Sequence, residues 1–242
     1  MISKNQIKFT KQLELKKHRQ REGLFVAEGP KVIGDLLAAG FEPRQIYATP
    51  EWLPRHPLPS GCLQTVTGDE LRKISFLQHP QQVLAVFTIP SPTTTPCPSR
   101  LILALDGVQD PGNLGTIIRI ADWFGIGQIV CSPDTADAWN PKVVQATMGS
   151  IARVNVDYVD LKEYLSHINL PVCGTVLDGN NIYAQELPRE AVIVMGNEGN
   201  GISPAVRHLV THRLFIPRFQ EGAESLNVAI ATAIVCSEFC RR

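Results

Sequence analysis

What this sequence lacks first is an excess of charge. Its 242 residues hold 23 basic and 23 acidic side chains, which excludes a uniformly basic nucleic-acid binder and leaves room only for a local basic patch. Paired cysteines are missing as well: the six, at 62, 97, 131, 173, 236 and 240, include no CxxC and no Cys/His ligand spacing. A disulfide framework or a metal site is therefore not expected, and reduced thiols in a cytosol fit the pattern. No apolar run approaches the roughly 18 residues that a membrane span needs, and the N-terminus has no apolar core of a secretion signal. It carries positive charge instead. Lys4, Lys8, Lys11, Lys16, Lys17, Arg19 and Arg21 stand against the single acid Glu14 within residues 1–21. A transit peptide could look similar, but Glu14 and the folded-looking sequence directly after it argue against one. The stretch reads as a basic surface helix over residues 3–21, a candidate contact for phosphate.

At 44% hydrophobic content the chain can build one large core or two small ones. After the basic helix, Leu24–Ala27 reads as a strand and Lys31–Ala39 as a helix closed by Gly40. Gln45–Ala48 and Cys62–Val66 follow as short strands, Gly68–Ile74 as a helix capped near Asp69, and Val83–Phe87 as a buried strand. Residues 89–99, IPSPTTTPCPS, carry four prolines and no charge and form the clearest linker. The expected organisation is thus a small α/β domain over 1–88, the linker, and a second α/β domain over 100–242. In the second, apolar strands begin at Leu101 and recur near 126, 153, 172, 192 and 213, with helices between nearly all of them. That alternation predicts a mostly parallel sheet covered on both faces, with ligands at the carboxyl ends of its strands.

Three loops in the second domain carry the polar groups. The first, Asp106 to Arg119, turns at Asp110-Pro111-Gly112 and opens a helix near Asn113. The step from Asn113 to Arg119 is about 240° net around a helix, so the two do not share a face, and Asn113 is placed at the cap. The second, Met195-Gly196-Asn197-Glu198-Gly199-Asn200-Gly201-Ile202-Ser203, leaves a strand end almost bare of side chains. It is not the GxGxxG fingerprint, and no acid ends a following strand, which disfavours a nicotinamide dinucleotide enzyme. The third runs from Ile216-Pro217 to Glu224-Ser225-Leu226-Asn227, where a helix begins that is small and apolar on nearly every face. A plain cap by Ser225 would account for that last stretch alone; the shared design of three loops asks for more.

Asn113-x-Gly115-x-x-x-Arg119, then Met195-Gly196-Asn197-Glu198-Gly199-x-Gly201-Ile202, then Ile216-Pro217 with Glu224-Ser225-Leu226-Asn227-Val228, resemble the three motifs of the SpoU (TrmH-like) RNA ribose 2′-O-methyltransferases of the SPOUT superfamily. Asn140-Pro141-Lys142-Val143 and Gly149 are similar to that family too, and Phe25-Val26-Ala27-Glu28-Gly29 resembles the substrate-binding domain of its rRNA-modifying members. The resemblance implies a deep trefoil knot in the C-terminal domain and a homodimer built on the last helix and the segment near 140–150. It implies S-adenosylmethionine as cofactor, held around Met195, Gly196, Asn197, Glu198, Gly199, Gly201, Ile216, Pro217, Ser225 and Leu226. Asn113, Arg119, Ser225 and Asn227 would then stand near the reacting methyl. RNA is the implied substrate, rRNA ahead of tRNA because of the N-terminal domain, with no metal and no membrane partner.

Two departures from the family pattern lie beside the site: Arg218–Ala223 replaces a shorter loop containing methionine and glycine, and Gln145 stands where arginine is common. Both bear on the target RNA. A non-catalytic RNA-binding or assembly protein on the same fold is the competing reading, against which the presence of Asn113, Arg119 and Asn227 argues.

Overall fold

Residues 1–52, 54, 58–91, 100–220, 222 and 225–241 are described by the structure, a computed structural model. Residues 92–99 of the proline-rich segment, and Glu224, lie outside the described residues. The chain divides into two compact units, one of Met1–Pro92 with Asp137–Ala152, the other of Thr93–Ala136 with Arg153–Arg242.

The basic N-terminus forms two helices rather than one, α1 (Lys4–Gln12) and α2 (Lys16–Glu22). Ser3 and Gln6 close a capping box at the start of α1, and Gly23 ends α2 in the left-handed conformation at φ 65°. The break between them is held by Arg19, whose guanidinium donates to the carbonyls of Leu13 at 2.8 Å and Glu14 at 2.6 Å. Next come β1 (Leu24–Glu28), α3 (Pro30–Ala38), β2 (Pro43–Ala48), β3 (Leu63–Thr65), α4 (Gly68–Ile74) and β4 (Val83–Thr88). Thr67, not Asp69, caps α4, in a capping box with Glu70. The strands pair in the order β1-β4-β2-β3, with β2 and β3 parallel and the other pairs antiparallel.

The second unit is built on β5 (Leu101–Asp106), α5 (Pro111–Trp123) and β6 (Gln128–Cys131); after an excursion containing α6 (Pro141–Ala146), it resumes with β7 (Asn155–Tyr158), α7 (Leu161–His167), β8 (Val172–Asn181), β9 (Ala191–Gly196), α8 (Pro204–Arg207), β10 (His212–Phe215) and α9 (Val228–Cys240). All six strands are parallel, in the order β10-β8-β9-β5-β6-β7. Every residue of β5 and β9 is buried, as expected for central strands covered on both faces. Register pairs Asp106 with Gly196, so the loops leaving β5 and β9 emerge side by side. α5 and α9 pack together; Asn113 and Asn227 meet at one end of the pair, and Phe124 and Phe239 line one cavity at the other. The helices are therefore parallel neighbours.

The excursion 137–152 belongs to the first unit. α6 packs on β1, and Trp139 lies 4.6 Å, centroid to centroid, from Phe25, which in turn stacks on Phe87 at 5.7 Å. Asp137 closes a buried ion pair with Arg19. Helical periodicity shows that Val143 and Val144 must be buried, but not on which sheet.

Candidate active site

Three side chains and four glycines shape the end of the parallel sheet where β5 and β9 stop. Gly107, at φ 74°, turns the chain out of β5, its N–H donating to Ser132 Oγ at 2.8 Å and its carbonyl accepting from Asn197 Nδ2 at 2.7 Å. Asp106, 8% exposed, accepts from the Ser203 N–H at 2.7 Å. Asn197 also organises its own loop: its Oδ1 accepts from the N–H groups of Gly199 (2.9 Å) and Asn200 (3.0 Å), and its backbone exchanges both hydrogen bonds with Gly201. That turn presses on Gly196. A Cβ there would sit 2.2 Å from the Gly201 carbonyl carbon and 2.3 Å from the Ile202 nitrogen, so only glycine fits.

Asp110, rather than Asn113, caps α5, accepting from the Asn113 N–H at 2.8 Å. The Asn113 side chain is thereby released for longer-range work. Its Nδ2 donates to Glu198 Oε1 at 2.9 Å, and its Oδ1 accepts from Asn227 Nδ2 at 2.8 Å. Asn227, not Ser225, caps α9, its Oδ1 accepting from the N–H groups of Ala229 (2.9 Å) and Ile230 (3.3 Å). These partners fix every amide orientation. Helix N–H groups can only donate, so Asn227 must turn its Oδ1 to them and its Nδ2 to Asn113, which then presents its own Nδ2 to the acceptor-only carboxylate of Glu198. One residue from each of the three loops thus joins a single hydrogen-bonded chain ending on a helix N-terminus.

Arg119 is exposed and, among the described residues, makes no hydrogen bond or ion pair. Ser225 and Leu226 are exposed beside the α9 cap, Leu226 at 49%, while Ile216 and Pro217 are half-buried beyond β10. Met195 is buried and receives the Thr175 hydroxyl at 3.7 Å to its sulfur. Residues that sequence reasoning left out are Asp106, Asp110 and Ser132, which hold the loops in place. A carboxylate closing the otherwise apolar β5 was the available signal for Asp106. Three thiols of this unit are held protonated by burial, which pushes Cys173 and Cys236 up to about 12 and Cys131 up as well.

The basic residues assigned to RNA lie in the first unit, and they are not alike. Lys4, Lys8, Lys16, Lys17 and Arg21 are exposed on α1 and α2. Lys11 is half-buried, donating to the Ser75 carbonyl with its ammonium 4.6 Å from the Phe76 ring centroid. Arg19 is 1% exposed and committed to Asp137 and two carbonyls. Its guanidinium has no donor facing solvent, so it does not belong among the phosphate contacts.

Comparison with known proteins locates two family matches: the SpoU rRNA Methylase family over residues 100–237, and the MRM3-like substrate binding domain over residues 4–85. The 23S rRNA (guanosine(2553)-2'-O)-methyltransferase RlmP of Bacillus subtilis is 33% identical, over 96% of this chain and 95% of that protein. A solved structure described as a putative RNA methyltransferase of the TrmH family from Porphyromonas gingivalis is 42% identical, with a TM-score of 0.91 over 100% of this chain and 99% of that one. An rRNA methyltransferase from Sinorhizobium meliloti, solved with AdoMet bound, is 30% identical with a TM-score of 0.86, over 100% and 97% of the two chains.

Proposed function

This chain belongs to the SpoU rRNA methylase family, and on that premise we propose that it methylates a ribose 2′-hydroxyl of ribosomal RNA. The observation that carries the reading is the hydrogen-bonded chain Glu198–Asn113–Asn227, which joins all three motif loops at the carboxyl end of the parallel sheet. S-adenosylmethionine supplies the electrophilic methyl when bound. The residues fit such a group: Gly199 and Gly201 are exposed and leave the loop backbone bare of side chains, and Leu226 offers an apolar face. Met195, Gly196, Ile216, Pro217, Ser225 and Leu226 would hold the cofactor. Asn197 and Glu198 act through the loop, Asn197 by fixing its turn and Glu198 by orienting Asn113.

Methyl transfer to oxygen asks for an in-line approach and for loss of the hydroxyl proton. Asn113 and Asn227 are locked in one orientation each, so they present fixed dipoles to the reacting groups at no cost of reorganisation. Arg119 stays charged and pins an RNA phosphate with parallel N–H donors, stabilising the developing alkoxide, while the hydroxyl proton passes to that phosphate or to water. The exposed lysines of α1 and α2 hold RNA on the first unit. The test is transfer of labelled methyl from S-adenosylmethionine to rRNA, with 2′-O-methyl sites mapped in RNA from cells with and without the gene. Absence of any site that depends on the gene would refute the enzyme.

The active form is a homodimer. Supporting this, Ile230 (54% exposed) and half-buried Ile234 lie one turn apart on α9, Leu226 just before its cap is 49% exposed, and Trp123 at the end of neighbouring α5 is 84% exposed. Large apolar side chains exposed on two neighbouring helices are what an interface would cover. Sedimentation at micromolar concentration should give twice the 26.6 kDa chain mass; an active monomer would remove the claim. A trefoil knot is supported by the path of the chain: β10 lies at the sheet edge, yet α9, which follows it, packs on α5 and β9.

A further inference from the structure

The first unit contains a cavity of about 270 Å³ that neither the methyl-transfer site nor the basic helices use. Its walls are Val26 on β1, Phe76 and Leu77 after α4, and Pro141 and Ala146 of α6, and its one acid is Glu28. Ligand pockets for drug-sized molecules run to about 300–1,000 Å³, so this volume suits one small ring system.

Glu28 is 5% exposed, and burial raises its pKa above the ordinary carboxylate range against the pull of Ser75, Phe76 and Lys11. A carboxylate is seldom kept in such a place without several donors. Two are visible: Ser75 Oγ donates to Oε2, and the Phe76 N–H donates to Oε1 at 2.7 Å. Each oxygen has a second acceptor site. The group is also rigid, because Ser75 Oγ in turn accepts from the Leu77 N–H at 3.0 Å, and Lys11 holds the Ser75 carbonyl. What is left over is a fixed pair of acceptors in a mainly apolar slot with an aromatic wall, whose other polar lining residues are Lys142 and Gln145.

We propose that this cavity takes one unpaired guanine base of the RNA substrate, its N1–H and N2–H donating to the two oxygens of Glu28. Guanine is the only standard base whose Watson–Crick edge carries two adjacent donors. Unstacked RNA bases are read in this way, by an aromatic wall and hydrogen bonds to that edge. The proposal rests on the reading of the first unit as RNA-binding, and gives that unit a base preference which lysines alone cannot supply.

The test uses the full chain with labelled methyl groups, titrated separately with GMP, IMP, AMP and UMP. All four carry the same phosphate, and IMP differs from GMP only in lacking the N2 amine. The methyls of Val26, Leu77 and Ala146 should shift with GMP, with affinity roughly tenfold or more above that for IMP, since a site built around a donor rejects the analogue lacking it. Ala146→Phe should fill the slot and abolish the shifts at Val26 and Leu77. Should that variant fail to fold, Glu28→Gln turns one acceptor into a donor and should erase the preference for GMP over IMP. Shifts that are absent, or equal for GMP and IMP, overturn the proposal. If RNA still binds with steep salt dependence in that case, the pocket falls and the RNA-binding reading stands. GMP bound in the pocket of a protein with no salt-dependent affinity for RNA would overturn RNA as the source of the base.

Discussion

Asn227 Nδ2 donates to Asn113 Oδ1 across 2.8 Å, joining residues 114 positions apart. The bond links the N-terminal turns of α5 and α9, and each partner has a second commitment, Asn113 to Glu198 and Asn227 to its own helix. Asn227→Ala should therefore destabilise the protein by about 1 kcal/mol for the lost cap. The double variant with Asn113→Ala should be less destabilised than the sum of the two singles, because members of one network couple. Denaturant titration of the four proteins reads the coupling; strict additivity would mean that the bond contributes nothing.

Gly196→Ala places a methyl 2.2 Å from the Gly201 carbonyl carbon. Overpacking of this kind costs about 1–3 kcal/mol, and the turn can relieve it only by moving. Affinity for S-adenosylmethionine, measured calorimetrically, should drop by roughly tenfold or more while the sheet remains folded. Unchanged affinity would remove the 196–201 loop from the cofactor site.

Arg119→Lys separates two roles for that residue. Lysine, with an ordinary pKa of about 10.4, loses its proton more easily than arginine but cannot make the planar two-donor contact. A charged phosphate clamp predicts an enzyme impaired at every pH up to about 10 with cofactor affinity unchanged. Activity that recovers as pH rises, with the fold intact and RNA bound, would identify a general base instead.

Arg19 and the exposed lysines should part company when replaced. Arg19→Ala leaves Asp137 without its partner and is expected to cost about 3–5 kcal/mol of stability. Replacing Lys8 and Lys17 with alanine should leave stability within about 0.5 kcal/mol and flatten the salt dependence of RNA binding, by roughly one unit of slope for each phosphate no longer neutralised. Thermal melts and binding at two salt concentrations distinguish the classes, and a steep salt slope surviving the double lysine variant would move the RNA-binding surface elsewhere.

Glu70 accepts from the Thr67 N–H at 3.0 Å and the Ile2 N–H at 2.8 Å, and these bonds, that to Thr67 first, hold its pKa below the ordinary glutamate value. A depressed carboxylate contributes stability above its unfolded pKa and loses it as pH falls through the folded one. The melting-temperature gap between the protein and Glu70→Ala should accordingly be full at neutral pH and close below about pH 4. A gap that persists at low pH would mean the side chain works by packing.

The architecture of the second unit was legible because β9, and β5 up to its closing Asp106, are apolar runs separated by helical stretches. Asn113 and Asn227 could be named from their motifs, but the cap assignments could not: Asp110, Asn113, Ser225 and Asn227 are all good cap formers, and tertiary partners decide among them. The basic N-terminus shows the opposite failure. A count of charges cannot tell that Arg19 turns inward, since burial depends on Asp137 arriving from 118 positions away. Strand β8 runs to Asn181, beyond the apolar run ending near Leu177, because its polar end pairs with β10 through Asn180 and Asn181.

The excursion 137–152 has a consequence for any attempt to take the protein apart. A single cut within the proline-rich segment 89–99 severs the chain once, yet Trp139 stays packed on Phe25 and Asp137 stays paired with Arg19. The two peptides are then complementary halves of one core and should co-elute until denaturant is added. A fragment expressed from residue 100 onward would carry α6 stripped of its sheet, with the indole of Trp139 bare to water and Asp137 without its arginine. Such a fragment is an unpaired half, and its insolubility would report the missing complement and not an inactive enzyme.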